Sequence, residues 1–222
     1  MRTVAAALVL VGVLGACGDD DDGDGDGDGG TALVSGTVLG QPFGARDGAA
    51  LRLTEETCLF DTDLGQIQAS AAALLVAFGT FENLCGFAQQ TAACGDKANA
   101  TTVNLIVLRA NVQGGAAGAI QAGTYPVSLS TPAPDAQGNV TFATALVERT
   151  DATCEDTSGE PEATAGSITI ESVGPDRVRG SASVTFSEGS SVSGQFDVPS
   201  CAFSTDVCTG LGAGCANPVC VP

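Results

Sequence analysis

Residues 167–198 read SITIESVGPDRVRGSASVTFSEGSSVSGQFDV, and the alternation within them decides the fold. Ile168 and Ile170 alternate with Ser, Thr and Glu before Gly174-Pro175-Asp176 turns the chain. Val178, Ala182, Val184 and Phe186 then alternate with Arg179, Ser181, Ser183 and Thr185, up to a second turn at Ser187-Glu188-Gly189-Ser190. Val192, Phe196 and Val198 complete the pattern. Successive side chains of a strand point to opposite faces, so this spacing predicts a three-stranded antiparallel meander with one apolar face. Val178, Val184, Phe186, Val192, Phe196 and Val198 are expected to be buried, with Arg179, Ser181 and Ser183 facing solvent or a second layer. An apolar sheet face needs a packing partner, and the earlier strands are the ones available.

Among those earlier segments Thr101–Arg109 is the clearest central strand. Val103, Leu105 and Val107 fall on one face, Ile106 and Leu108 on the other, which implies that both faces are covered, in a sandwich core or beneath a helix. Val140, Phe142, Thr144 and Leu146 alternate as another strand. Leu74–Phe78 is a continuous apolar run; the alanines before it are compatible with helix, but Gly79-Thr80 follow soon and favour a buried strand. Shorter strands are expected at Leu33–Leu39, Leu51–Leu53, Cys58–Phe60 and Gln66–Gln68, with turns at Gly40-Gln41-Pro42 and Asp61–Gly65. Gly114–Gly123 reads as a small-residue loop, Tyr125–Leu129 as an extended segment and Thr131–Asp135 as loop. Leu84, Phe87 and Ala88 have helix-compatible spacing within Phe81–Cys94, a short helix or disulfide-pinned loop. Thirty glycines and a single methionine argue in the same direction. The expected fold class is all-β, mainly antiparallel: a sandwich or open barrel with at most one or two short helices and a disulfide-stapled C-terminal tail.

The N-terminus carries a different message. Arg2 precedes an apolar run from Val4 to Leu14, and Gly15-Ala16 supply small residues, the three parts of an export signal. The 13 uncharged residues from Val4 to Ala16 fall short of the ~20 that cross a bilayer. Leu14-Gly15-Ala16-Cys17 resembles the lipobox of bacterial lipoproteins. That resemblance implies cleavage between Ala16 and Cys17, with acyl chains such as palmitate on Cys17 fixing the chain to a membrane. One acyl chain anchors only marginally, whereas the two or three of such lipoproteins hold firmly. Gly18, not aspartate, follows the cysteine, and in the sorting rules of that family this favours the outer membrane of a bacterial cell envelope. Residues 18–30 consist of glycine and seven aspartates, which repel one another and stay hydrated, so they read as a tether. The organisation expected is signal peptide 1–16, lipidated cysteine and disordered tether 17–30, β-domain 31–200 and Cys-rich segment 201–222. Such an arrangement resembles bacterial lipoproteins with a β-rich, cysteine-stapled domain behind an acidic or glycine-rich spacer, and the likeness brings no known activity with it.

Beyond Cys17 stand Cys58, Cys85, Cys94, Cys154, Cys201, Cys208, Cys215 and Cys220. An even number in an exported chain reads as four disulfides. The rival, a metal site, lacks any C-x-x-C pair, and the chain has no histidine. Pairing of Cys154 with Cys201 is one expectation, although it requires the acidic loop between them to run the length of the sheet.

Charge and composition narrow the chemistry further. Beyond residue 30 there are 19 acids against seven bases, a formal charge of −12, which repels nucleic acid. Without histidine no Ser-His-Asp or Cys-His device can form. No cofactor is called for. Asp24-Gly25-Asp26-Gly27-Asp28-Gly29 matches the first half of a calcium loop, but Ser35 stands where a bidentate Glu belongs, so only weak calcium binding is expected. What remains is carboxylates: Glu55 with Glu56, Asp61 with Asp63, and Asp151, Glu155, Asp156, Glu160 and Glu162. A chain without tryptophan and with Tyr125 alone has few platforms for sugar rings. The expected function is a non-catalytic envelope or surface β-domain with a structural or partner-binding role, its partner a protein or glycan. The alternative is a carboxylate-based extracytoplasmic hydrolase, with or without calcium.

Overall fold

The computed structural model describes residues 34–62, 65–92, 95–130, 132–159, 161–201 and 219–221 of the 222-residue chain. Twelve strands and one helix follow in order: β1 (Ser35–Val38), β2 (Gln41–Gly44), β3 (Asp47–Thr62), β4 (Gly65–Gly79), α1 (Leu84–Ala92), β5 (Gly95–Lys97), β6 (Thr101–Asn111), β7 (Gly123–Pro126), β8 (Asn139–Arg149), β9 (Ala163–Val173), β10 (Arg177–Phe186), β11 (Ser191–Cys201) and β12 (Val219–Val221). The main sheet runs β7-β9-β10-β11-β3-β4-β6-β8, with the β1–β2 hairpin paired to the start of β11. Its neighbours are antiparallel except at β11 and β3, which pair in parallel through only Ser200↔Ala50 and Cys201↔Leu51. That narrow junction is a corner. On either side of it lie two four-stranded halves, whose far edges meet again at the isolated bridges Val127↔Ala143 and Leu146↔Glu162. The result is a flattened, nearly closed antiparallel barrel, within the expected class.

The meander behaves as its alternation dictates. Val178, Val184, Phe186, Val192, Phe196 and Val198 are buried in one core cluster, while Arg179 and Ser183 are exposed and Ser181 half-buried. Ile168 and Ile170 join the same cluster, as do Leu74, Val76, Phe78, Val103, Leu105 and Val107 from the other half. Phe78 and Phe196 meet across the core with ring centroids 5.6 Å apart. Gly180 makes room for that ring: an added Cβ would come within 2.7 Å of it and would also strike the Thr169 carbonyl.

Several expectations need correcting. Leu51–Leu53 and Cys58–Phe60 belong to one 16-residue strand, β3, and Gln66–Gln68 and Leu74–Phe78 to one 15-residue strand, β4. An irregularity between Leu53 and Glu56 restores register there, and it is what breaks the alternation in the sequence. Gln41 and Pro42 lie in β2 and not in a turn; Leu39 and Gly40 make the turn, both at positive φ (51° and 69°), as a tight hairpin requires. In β8 the core residues are Ala143, Ala145 and Val147, whereas Phe142, Thr144 and Leu146 lie half-buried on the opposite face. Ala143 bridges to Val127 where the two halves of the barrel meet, so a small side chain lines the core at that point. The alanine-rich run is strand, as expected, and Phe81–Cys94 contains the one short helix among the described residues.

Candidate functional site

The outer faces of the two halves differ. β10 presents Arg179, Ser183 and Thr185 to solvent. On the other half the outward row holds Leu51, Leu75 and Ile106 in register, followed by Ala73, Leu108 and Phe142 in the next. Part of this apolar face lies under α1: Ala49, Leu51, Leu84 and Cys201 form a second buried cluster with Leu75, Phe81 and Phe87 packed against it. Asn83 starts the helix as its cap, accepting from Gly86 N at 3.1 Å, and Asp47 of β3 accepts from Leu84 N at 2.8 Å. The face expected from both-sided apolarity of Thr101–Arg109 therefore exists, and a helix covers one corner of it.

Two disulfides hold this cover. Cys85 of α1 pairs with Cys201 at the end of β11, and Cys154 pairs with Cys220 in β12, which runs parallel to β5. Cys154 with Cys201 is thus overturned. Cys201 ends β11 beside Leu51, next to the helix, and it is the C-terminal strand that travels to the acidic loop. Cys58 lies in β3 but its side chain is outside the description, and Ala16, Cys17, Cys94, Cys208 and Cys215 lie outside the described residues.

The carboxylates expected as acid–base or calcium groups are placed differently. The side chains of Glu55, Glu56 and Asp61 are not described, and Asp63 and Glu160 fall outside the described residues. Asp151 accepts from Thr153 N and its hydroxyl, both at 2.7 Å, and from Glu155 N at 3.1 Å. Those bonds, the Thr153 hydroxyl foremost, hold its pKa below the ordinary value, and they identify it as the acceptor of a tight turn. Asp156 accepts from Ser158 N in the same way. Glu155 and Glu162 are exposed. Among the described residues no group of three Cys, Asp or Glu side chains converges as a metal site would require.

One end of the barrel carries a denser polar arrangement. Loop 112–122 folds across it, burying Ala117 and Ile120. The loop is tied down by Ser70 Oγ, which accepts from Ala117 N at 3.2 Å, and by Asn111 Oδ1, which accepts from Gln113 N and Gly115 N. Asn111 Nδ2 donates to Gln137 O and to Asn139 Oδ1. Asn139 in turn donates through its backbone N and its Nδ2 to Asp135, whose pKa is lowered chiefly by that backbone N–H and in smaller part by the charge of Arg109. Near the end of β6, Arg109 is half-buried and its Nε is the one buried side-chain nitrogen or oxygen among the described residues that has no hydrogen-bond partner. Reading the sequence for chemistry overlooked Arg109, although a signal was present: it continues the Val103, Leu105, Val107 row by two residues.

The chain matches no protein-family model, no curated protein and no solved structure.

Proposed function

We propose that the chain is a lipid-anchored protein of a bacterial cell envelope, outer membrane favoured, whose β-barrel is a non-catalytic module for structural or partner-binding duty. The observation that carries this reading is the Leu14-Gly15-Ala16-Cys17 signature behind Arg2 and an apolar run. Two features support it. Disulfides at Cys85–Cys201 and Cys154–Cys220 suit an oxidising, exported environment. The barrel interior is filled by apolar side chains from both halves, so contact with a protein or glycan partner would fall to its outer surface. Replacing Cys17 with Ser tests the anchor. The variant is expected to leave the membrane fraction and to take up no labelled palmitate; unchanged membrane association would defeat the proposal.

A further inference from the structure

The two described disulfides are seated differently. Cys85–Cys201 lies within the apolar cover: Cys201 is 8% exposed and clustered with Ala49, Leu51 and Leu84, and Cys85 is half-buried against them. Cys154–Cys220 stands at the surface. Cys220 is exposed, Cys154 is half-buried, and neither belongs to a buried cluster. Cys154 also holds a backbone φ of 60°, in the left-handed region that a residue with a Cβ rarely adopts. The turn beginning at Asp151 imposes this conformation. Cys154 N donates to Asp151 O at 3.1 Å, and Asp151 N donates to Glu155 O at 3.0 Å. Backbone of this kind persists only where its surroundings hold it in place. At the other end of the bond, β12 pairs with β5 through Val219↔Gly95, Cys220↔Asp96 and Val221↔Lys97. Two strands of that length are marginal in water without further support.

We propose that Cys154–Cys220 is a redox-sensitive latch, opened by a dithiol reductant while Cys85–Cys201 stays closed and the barrel stays folded. Disulfide exchange requires a thiolate to reach a sulfur, and exposed or strained disulfides are the labile ones. Attack falls on Cys220, the exposed partner. A new S–S bond joins the reductant to Cys220 as the bond between Cys220 and Cys154 breaks. Cys154 leaves as a thiolate and takes its proton from water, since the chain has no histidine to supply one. The second thiolate of the reductant then closes the reductant's own disulfide and expels Cys220, which is protonated in turn. Two electrons have passed from the dithiol to the pair. Opening the latch removes the covalent support of the β5–β12 pairing and unties the turn at Asp151 from the C-terminal strand. The barrel core, to which neither cysteine contributes, is left in place.

The test exposes the full chain, its disulfides intact, to dithiothreitol for graded times and quenches with iodoacetamide. The remaining bonds are then reduced and given a second label before peptide mapping. Cys154 and Cys220 are expected to take the first label about tenfold or more faster than Cys85 and Cys201. Once the latch is open, amides of residues 95–97 and 219–221 should lose hydrogen-exchange protection while those of β10 keep it. Cys154→Ser combined with Cys220→Ser should show the same loss with no reductant present, which separates the latch from the chain's other cysteines. Reaction of the two pairs at one rate, or earlier opening of Cys85–Cys201, overturns the proposal. So does retained protection at residues 95–97 and 219–221 in the double variant, or loss of protection in β10 along with them. Because no lipid is involved, the outcome is independent of whether Cys17 carries an anchor.

Discussion

Truncating Phe196 to alanine is the most direct probe of how the two halves of the barrel hold together. Phe196 is 3% exposed and Phe186 1%, both inside the shared core. Removing a buried phenylalanine side chain costs about 3–5 kcal/mol, of which an aromatic pair such as Phe78–Phe196 contributes about 0.5–1.5. The upper part of that range is expected here. The space left would be bounded by Gly180 and by backbone fixed in the β9–β10–β11 ladders, which cannot move in without breaking Gly180↔Phe196 and Gly180↔Ile170 pairing. For a domain of this size 1 kcal/mol moves the thermal midpoint by about 2–4 °C, so Phe196→Ala and Phe186→Ala should each lower it by roughly 6–20 °C. Ser183→Ala, on the exposed face of β10, should stay within about 0.5 kcal/mol of the parent. Calorimetric or urea unfolding of the three variants decides the matter. If both phenylalanine variants melt like the parent, the inward face of the meander is wrongly assigned and the shared core fails with it.

Peptide mapping without reductant should recover Cys85 linked to Cys201 and Cys154 linked to Cys220; a Cys154–Cys201 fragment would contradict the fold. These bonds close loops of 116 and 66 residues, so on the loop-entropy account opening either should cost about 4–5 kcal/mol. Asp197 lies 2.6 Å from Arg177 Nε and 2.8 Å from Arg179 Nε, and its hydrogen bond to Arg177 holds its pKa below the ordinary 3.8. A carboxylate depressed in the folded state stabilises above its unfolded value and loses that contribution as pH falls through the folded value. Asp197→Asn should therefore flatten the acid side of the stability profile below about pH 4, and an unchanged acid limb would show the pair to be inert.

How much was legible depends on the range of the forces involved. The meander was readable because its alternation, turns and burial are all local, from Ile168 through Val198. β8 misled because the sequence shows two alternating sets, Phe142-Thr144-Leu146 and Ala143-Ala145-Val147, and hydrophobicity favours the bulkier one. What accompanies the smaller set is the approach of the other half of the barrel, where Val127, just after β7, bridges to Ala143, a non-local constraint with no sequence signature. The cysteine pairing failed for a similar reason. Pairing Cys154 with Cys201 already required the acidic loop to run the length of the sheet, and the parallel corner at Cys201↔Leu51 delivers Cys201 to the helix instead. Arg109 was passed over since a cation at the end of a strand ordinarily reaches water, whereas here its Nε is buried.

The position of the two disulfides follows from the asymmetry of the faces. The half built from β3, β4, β6 and β8 carries apolar side chains such as Leu51, Leu75 and Ile106 on its outside as well as its core row inside, and leaving them open to water would forfeit burial at about 25 cal/mol per Å² of apolar surface. What covers its corner is slight: the nine-residue α1, joined through β5 to the three-residue β12. A helix of that length is marginal alone, as is a pair of three-residue strands, and the buried cluster beneath them holds four residues. Packing of this extent cannot by itself fix such a cover. Covalent links at Cys85–Cys201 and Cys154–Cys220 take over that task, tying the helix to the corner of the barrel and the last strand to the loop after β8. On the meander half the outer face is polar at Arg179, Ser183 and Thr185, and the described disulfides touch that half only at Cys201, the last residue of β11.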